Sequence, residues 1–401
     1  MPVPVPGDRF QWHPAAQIAG FDRPEPRQTP DAVPDHPADI ALSVALSRCA
    51  AGLTFRIGGG GQPPQSGLQP MFETLTSGTS GTPRRILRSQ TSWTTSFSTN
   101  AALFGIGPGT KVAVLGQLIH SLALYGALEA LHLGAILHLL ADLRPDRQRK
   151  ALATASVDVL YATPAQARQL TEAKAPPLPD LRRILIGGSK LDATLRAQLE
   201  QMAPNAALHE FYGAAETSFV TLAAPHDPPE SVGRAYPGVS LAIKDANGTL
   251  LADGETGELW VQSPYLFAAY SADKGSANWH DGWLSVGEIG HITDGALYLS
   301  GRKTRVVQIA DQSVYPEEIE ALMATLPGIA RIAVIPEPDA KRGTVLIAVA
   351  MGEKAHEPAI LAATRAYFGP LKSPRRIIWR GDWPTLASGK TDLAALQLHA
   401  T

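Results

Sequence analysis

A single cysteine, Cys49, stands in 401 residues. One thiol cannot close a disulfide within the chain, and the expectation that follows is a reducing compartment, the cytoplasm. Cys49 sits in the mostly apolar run from Ile40 to Leu53 and reads as a small buried hydrophobe rather than a nucleophile. An excess of charge of one sign is also missing. Lys and Arg number 35 against 37 Asp and Glu, so neither a nucleic acid nor an anionic membrane is expected as partner. The 11 histidines are scattered, with no HExxH or similar ligand spacing for a metal. No apolar run reaches transmembrane length: the longest candidate, Leu115 to Leu140, is interrupted by Gln117, His120, Glu129, His132 and His138. The opening MPVPVPGDRFQWHP lacks a basic start followed by an apolar segment, so no signal peptide is expected. No internal repeat is visible.

What is present is ordinary for a globular protein with a sizeable core: 44% hydrophobic and 18% charged residues. The first 70 or so residues are punctuated by proline and glycine, and IGGGGQPPQSG (Ile57 to Gly67) reads as a flexible connector in preference to a phosphate cradle. From Lys111 to Phe211 short apolar strands alternate with helices. KVAVLGQ, ILHLL, VDVLYAT, LRRILIGG and ALHEFYG read as strands; Ser121 to Leu133, Pro145 to Ser156, a segment from Pro164, and Leu191 to Met202 read as helices. That pattern predicts a mostly parallel sheet covered on both faces, with ligands at the carboxyl ends of its strands. Ser231 to Gly301 is β-rich, with an Asn-Gly turn at 247 and 248, and reads as a small antiparallel barrel or sandwich. Beyond Gly301 the pattern is α+β: helices from Pro316 to Leu326 and Glu357 to Phe368, and strands at IAVIP and VLIAVAM.

The segment LTSGTSGTPRR, Leu75 to Arg85, concentrates small and hydroxylated residues and ends on two cations. Small residues let backbone N–H groups approach an anion, and an arginine neutralises its charge. The loop is not GxxxxGK[ST], so a Walker-type NTPase is not implied. On composition alone, a polar surface loop explains it equally well.

The string resembles the phosphate-loop signature of the adenylate-forming superfamily: acyl-CoA synthetases, peptide-synthetase adenylation domains and luciferases. Thr76, Ser77, Gly78, Thr79, Ser80 and Gly81 fit that signature, with Arg84 in place of its lysine. Further motifs follow in the family's order as far as Leu396. IGGS, with Gly187, Gly188 and Ser189, resembles the loop beside the adenine that also lines the acyl pocket. FYGAAET resembles YGxTE, which implies Tyr212 and Gly213 against the adenine and Glu216 as ligand of the Mg²⁺ on ATP; Ala215 replaces a threonine. WLSVGEIG resembles WxxTGDxG, which implies that Glu288, in place of aspartate, holds the ribose hydroxyls. GRK resembles the family's GRxD, which implies Arg302 on the ribose as well and Thr304 at the hinge position. PTLASGKTDLAAL resembles the element whose lysine, here Lys390, reaches the acid's carboxylate and the α-phosphate. His120 resembles the histidine that borders the acyl pocket; a structural histidine among apolar residues is the equal alternative.

The resemblance implies an α/β protein. A large N-terminal domain (1–302), with a parallel sheet and a small barrel-like part, would be followed by a mobile α+β domain (303–401). It implies an AMP-forming ligase that makes an acyl-AMP from a small carboxylic acid using ATP and Mg²⁺, then passes the acyl group to the pantetheine thiol of CoA or an acyl carrier protein. No acidic residue lies between Gly116 and Ala127 to hold a substrate ammonium, so an acyl or aryl acid is expected rather than an α-amino acid. Two departures set the alternatives. Asp311 replaces the glycine beside the pantetheine tunnel, which leaves a non-thiol acceptor open, and the changes at Arg84, Ala215, Glu288 and Thr304 leave open a degenerate nucleotide-binding protein that is not an enzyme. Only 75 residues precede Thr76 where the family has well over a hundred; the expectation is an N-terminal part truncated relative to the family, missing or rebuilt in part, with a wider acyl pocket or an apolar surface for a homodimer partner.

Overall fold

The computed structural model describes residues 7–21, 33–59, 64, 69–76, 84–224, 226–271, 277–309, 312–339, 343–386 and 391–398. The chain divides into two compact units. One holds residues 1–78, 83–240 and 261–278; the other holds 79–82, 241–260 and 279–401.

In the first unit the alternating pattern folds as a doubly wound sheet. Five parallel strands lie in the spatial order Ile136–Leu139, Lys111–Val114, Val159–Ala162, Arg183–Gly187, Ala207–Ala214. The chain order therefore reverses between Lys111–Val114 and Val159–Ala162, the place where such sheets open a crevice. The short strand Gln17–Ile18 extends one edge in parallel, and Ser218–Leu222 turns back antiparallel beside Ala207–Ala214.

The helices begin where the sequence provides caps. Thr163 and Gln166 form a reciprocal capping box for Pro164–Glu172. Asp192 caps Ala193–Met202, so that helix starts two residues later than its apolar pattern suggests. One core joins Leu160, Ile184 and Ile186 of the sheet to Leu152, Ala167, Leu170, Leu195 and Leu199 of the helices.

A second sheet in this unit holds the strands on either side of the segment that resembles a phosphate loop. Met71–Leu75 and Arg85–Ser89 pair antiparallel, with Phe55–Arg56 beside the first and Ala269–Tyr270 beside the second. The connector expectation for Ile57 to Gly67 is corrected at its start. Gly58 and Gly59 have φ of +63° and +76°, and a Cβ on them would come within 2.7 Å of Ile119 and 2.6 Å of Leu75. They are tight packing positions open only to glycine. The helix Ala38–Ala50 buries Cys49 as expected.

In the second unit, Trp283–Thr293 and Ala296–Arg302 form an antiparallel hairpin closed by Asp294 and Gly295, both at positive φ. The expected Asn-Gly turn is present, with the Asp245 carboxylate accepting from Asn247 N and Thr249 N. Further along, Ile329–Asp339, Gly343–Gly352 and Ile377–Trp379 make a three-stranded sheet. Alternation along Gly343–Gly352 sends Leu346, Ala348 and Ala350 against helices Pro316–Ala324 and Glu357–Lys372, and Ile347 and Val349 toward Leu396. The helix expected to end at Phe368 runs on to Lys372 across a kink at Gly369. Among the described residues, no helix is long and apolar enough to cross a membrane.

Candidate active site

The loop that follows Leu75 is clamped at its ends. Thr76 N donates to Arg84 O at 2.9 Å, and Arg84 N donates to Thr76 Oγ1 at 3.0 Å. Leu75, which precedes the loop, is tied to the parallel sheet as well. Leu75 bridges to His120, the Ser121 hydroxyl donates to Leu75 O at 3.3 Å, and the Ser121 and Thr74 hydroxyls lie 2.8 Å apart. His120 occupies the N-cap position of helix Ser121–Leu133, just past the carboxyl end of Lys111–Val114; burial holds its imidazole below the usual histidine range. Ser77, Gly78, Thr79, Ser80 and Gly81 lie outside the described residues.

Glu216 follows the carboxyl end of Ala207–Ala214, and its carboxylate accepts from the Tyr270 hydroxyl at 3.0 Å (Oε1). Burial, then the neighbouring carboxylate, pushes the Tyr270 hydroxyl up to about 12, so it keeps its proton as a donor. The Arg84 guanidinium lies 5.4 Å from the centre of the Tyr270 ring. Thr76, Arg84, His120 and Glu216 are thus tied into one region of the first unit.

The turn bearing Glu216 rests on Arg88, which sequence reasoning missed. Arg88 is fully buried on Arg85–Ser89. Its guanidinium donates to Ala215 O at 2.5 Å, to Ser218 Oγ at 2.8 Å and to Tyr265 O. Trp93 Nε1 donates to the same Ser218 hydroxyl at 3.0 Å. Burial pushes Arg88 down to about 9, and the Glu216 charge opposes that shift. A lone arginine in a sequence reads as surface charge; in the strand Arg88 shares the inward face of Ile86, while the equally apolar Leu87 is more exposed.

Gly187, Tyr212 and Gly213, which the motifs suggest for the adenine, sit on neighbouring strands. Gly187 ends Arg183–Gly187 and packs under Phe211, whose ring would be 2.5 Å from a Cβ there. Gly213 pairs with Phe219, and a Cβ on it would strike Ser218 O at 1.9 Å. Tyr212 is half-buried, on the opposite strand face to Phe211; Gly188 and Ser189 are exposed. The Glu210 carboxylate accepts from Leu191 N at 2.9 Å and Arg196 Nη2 at 3.0 Å, tying the IGGS loop to the FYG strand.

In the second unit, Glu288 and Arg302 stand directly opposite each other on the hairpin, and Arg302 Nε lies 3.3 Å from Glu288 Oε1. Arg302 N donates to Glu317 Oε1 at 3.3 Å, and Arg305 pairs with Glu317 and Glu320. Thr304 is exposed in the short 3-10 turn Lys303–Arg305. Lys390 and Asp311 lie outside the described residues.

Among the described residues no group of three or more His, Cys, Asp or Glu could hold a metal. A single carboxylate such as Glu216 nevertheless suits Mg²⁺, which binds through one or two carboxylates, retained waters and substrate phosphates.

Residues 21–271 match the family described as AMP-binding enzyme, and residues 318–390 match the AMP-binding enzyme C-terminal domain. An uncharacterized acyl-CoA ligase of Bacillus subtilis, YhfT, is 31% identical over 325 residues, covering 80% of this chain and 67% of that protein. The fold is similar to that of the amide bond synthetase McbA from Marinactinospora thermotolerans, with a TM-score of 0.75 and 23% identity over 91% of this chain and 79% of the other. It is likewise similar to that of ATP-bound MatB from Rhodopseudomonas palustris, with a TM-score of 0.74 and 24% identity over 90% and 76%.

Proposed function

The chain belongs to the AMP-binding enzyme family, and from that premise we propose that it activates a small carboxylic acid with ATP as an acyl-AMP and passes the acyl group to the thiol of CoA. The observation that carries this reading is the joining of Arg84 and Glu216 through Tyr270, beside a loop clamped by Thr76. A phosphate-binding cation and a carboxylate for a hard cation are what binding of ATP with Mg²⁺ requires.

Thr76, Ser77, Gly78, Thr79, Ser80 and Gly81 would cradle the phosphates with Arg84. Gly187, Gly188, Ser189, Tyr212 and Gly213 would flank the adenine, and Glu288 and Arg302 would hold the ribose. Mg²⁺ at Glu216 would neutralise phosphate charge. Lys390 would orient the carboxylate of the acid on the α-phosphate and stabilise the charge that grows as the C–O–P bond forms and pyrophosphate leaves. His120 would border the acid.

Residues 1–302 would form the ATP- and acid-binding domain and 303–401 the mobile one. A cytoplasmic setting, an acyl carrier protein as alternative acceptor and a homodimer belong to the same reading. One observation favours a second acceptor class. Asp311 puts bulk and charge where the family has a glycine for the pantetheine arm, which points to a non-thiol nucleophile.

The test is to supply an activated acid with CoA and follow AMP release and thioester formation. Thioester with stoichiometric AMP is expected. Acyl-AMP that accumulates despite CoA would overturn the thiol step and favour the second acceptor class.

A further inference from the structure

Tyr270 lies between two residues with separate tasks. Its ring faces the Arg84 guanidinium at 5.4 Å, and its hydroxyl donates to Glu216 Oε1 at 3.0 Å. Its own position is fixed from several directions. Ala269 and Tyr270 pair antiparallel with Leu87 and Ile86, on the strand that leaves the phosphate loop. Phe267 N donates to the backbone oxygen of Glu216 at 2.8 Å, and the Phe267 ring meets Tyr270 edge to face at 4.9 Å. Just before it, Tyr265 O accepts from the buried Arg88, whose other donors hold Ala215 O and Ser218 Oγ. The segment 265–270 is therefore laced to the turn on either side of Glu216 and to the strand behind Arg84. A ring that only filled space would need no hydroxyl aimed at a carboxylate.

We infer that Tyr270 is a positioning residue for the Mg²⁺-bound nucleotide, its hydroxyl fixing the orientation of the Glu216 carboxylate and its ring fixing the Arg84 guanidinium. The inference rests on the reading that this chain binds ATP with Mg²⁺ at Glu216. The physical case is preorganisation. A glutamate side chain loses rotamer freedom when it binds a cation, and a hydrogen bond that restricts it beforehand lowers that cost. Such an outer hydrogen bond on a metal-binding carboxylate also sets which oxygen faces the ion. The two halves of the side chain serve different partners, so they separate by mutation: the hydroxyl acts on the cation, the ring on the phosphate-side arginine.

The experiment is calorimetric titration of the full chain with ATP, once with Mg²⁺ and once with EDTA, for wild type, Tyr270→Phe and Tyr270→Leu. Tyr270→Phe keeps the ring, and its expected signature is about tenfold weaker binding of Mg²⁺-ATP with metal-free ATP within about twofold of wild type. Tyr270→Leu is expected to weaken both. The inference is overturned if Tyr270→Phe equals wild type under both conditions, or weakens metal-free ATP as much as Mg²⁺-ATP. Wild type that binds no ATP with Mg²⁺ would instead overturn the nucleotide reading itself, so the two failures are told apart within one data set.

Discussion

Glu216 and Glu288 are both carboxylates proposed to hold the nucleotide, and the two are held in opposite ways. Glu216 accepts from a neutral hydroxyl, and the turn that carries it is braced from behind by Arg88, an arginine with no exposed surface. Glu288 is held by an ion pair to Arg302, whose side chain is 40% exposed. Arg88 lies in the interior, where an orphaned partner is costly, while the Tyr270–Glu216 hydrogen bond that it backs is half-buried. The Glu288–Arg302 pair is partly solvated, weakened by salt and worth little to folding. The turn that carries Glu216 is thus anchored by a core residue, while Glu288 is paired at the surface of the second unit.

The largest expected effect falls on chemistry. Glu216→Ala is expected to lower acid-dependent pyrophosphate exchange by about 10²–10³-fold. A loss no greater than that of Glu288→Ala would erase the contrast. Next comes the brace. Arg88→Met leaves Ala215 O without its donor and removes the arginine's hydrogen bonds to Tyr265 O and to the Ser218 hydroxyl, which Trp93 Nε1 still reaches, and urea unfolding is expected to show a loss of about 3 kcal/mol.

Glu129 tests how dry that interior is. It is fully buried and accepts from Asn100 Nδ2 at 2.8 Å and from the Tyr161 hydroxyl, and burial pushes its carboxyl up to about 8. The folded chain then holds a proton that the unfolded chain releases near 4.5. Stability from this group is full below that value and is lost as pH rises through about 8. Wild type is expected to lose about 3 kcal/mol more than Glu129→Gln between pH 5 and pH 8, read from unfolding midpoints. The smallest effect belongs to the exposed pair: Arg302→Ala is expected to change folding stability by less than about 1 kcal/mol and to show it only at low salt.

Much of the fold was legible because its signals are local. Helix Ser121–Leu133 lies where the apolar run places it, and the parallel strands follow from short hydrophobic segments between helices. The site was legible only as a series of motifs. Tyr270 escaped because it belongs to a strand of two residues whose partner lies far back in the chain, and Arg88 escaped because its acceptors are brought in from Ala215 and Tyr265 by tertiary pairing. The glycines at 58 and 59 read as a connector because the residues they pack against, Ile119 and Leu75, are likewise supplied by the fold.

The central claim is acid-dependent adenylation. Its most direct measurement is ATP–pyrophosphate exchange across fatty, aryl and dicarboxylic acids, with wild type beside Lys390→Ala. Exchange that appears with at least one of these acids and drops about 10²-fold or more in the variant is the predicted result. No exchange with any acid, or a variant that exchanges as well as wild type, would contradict it.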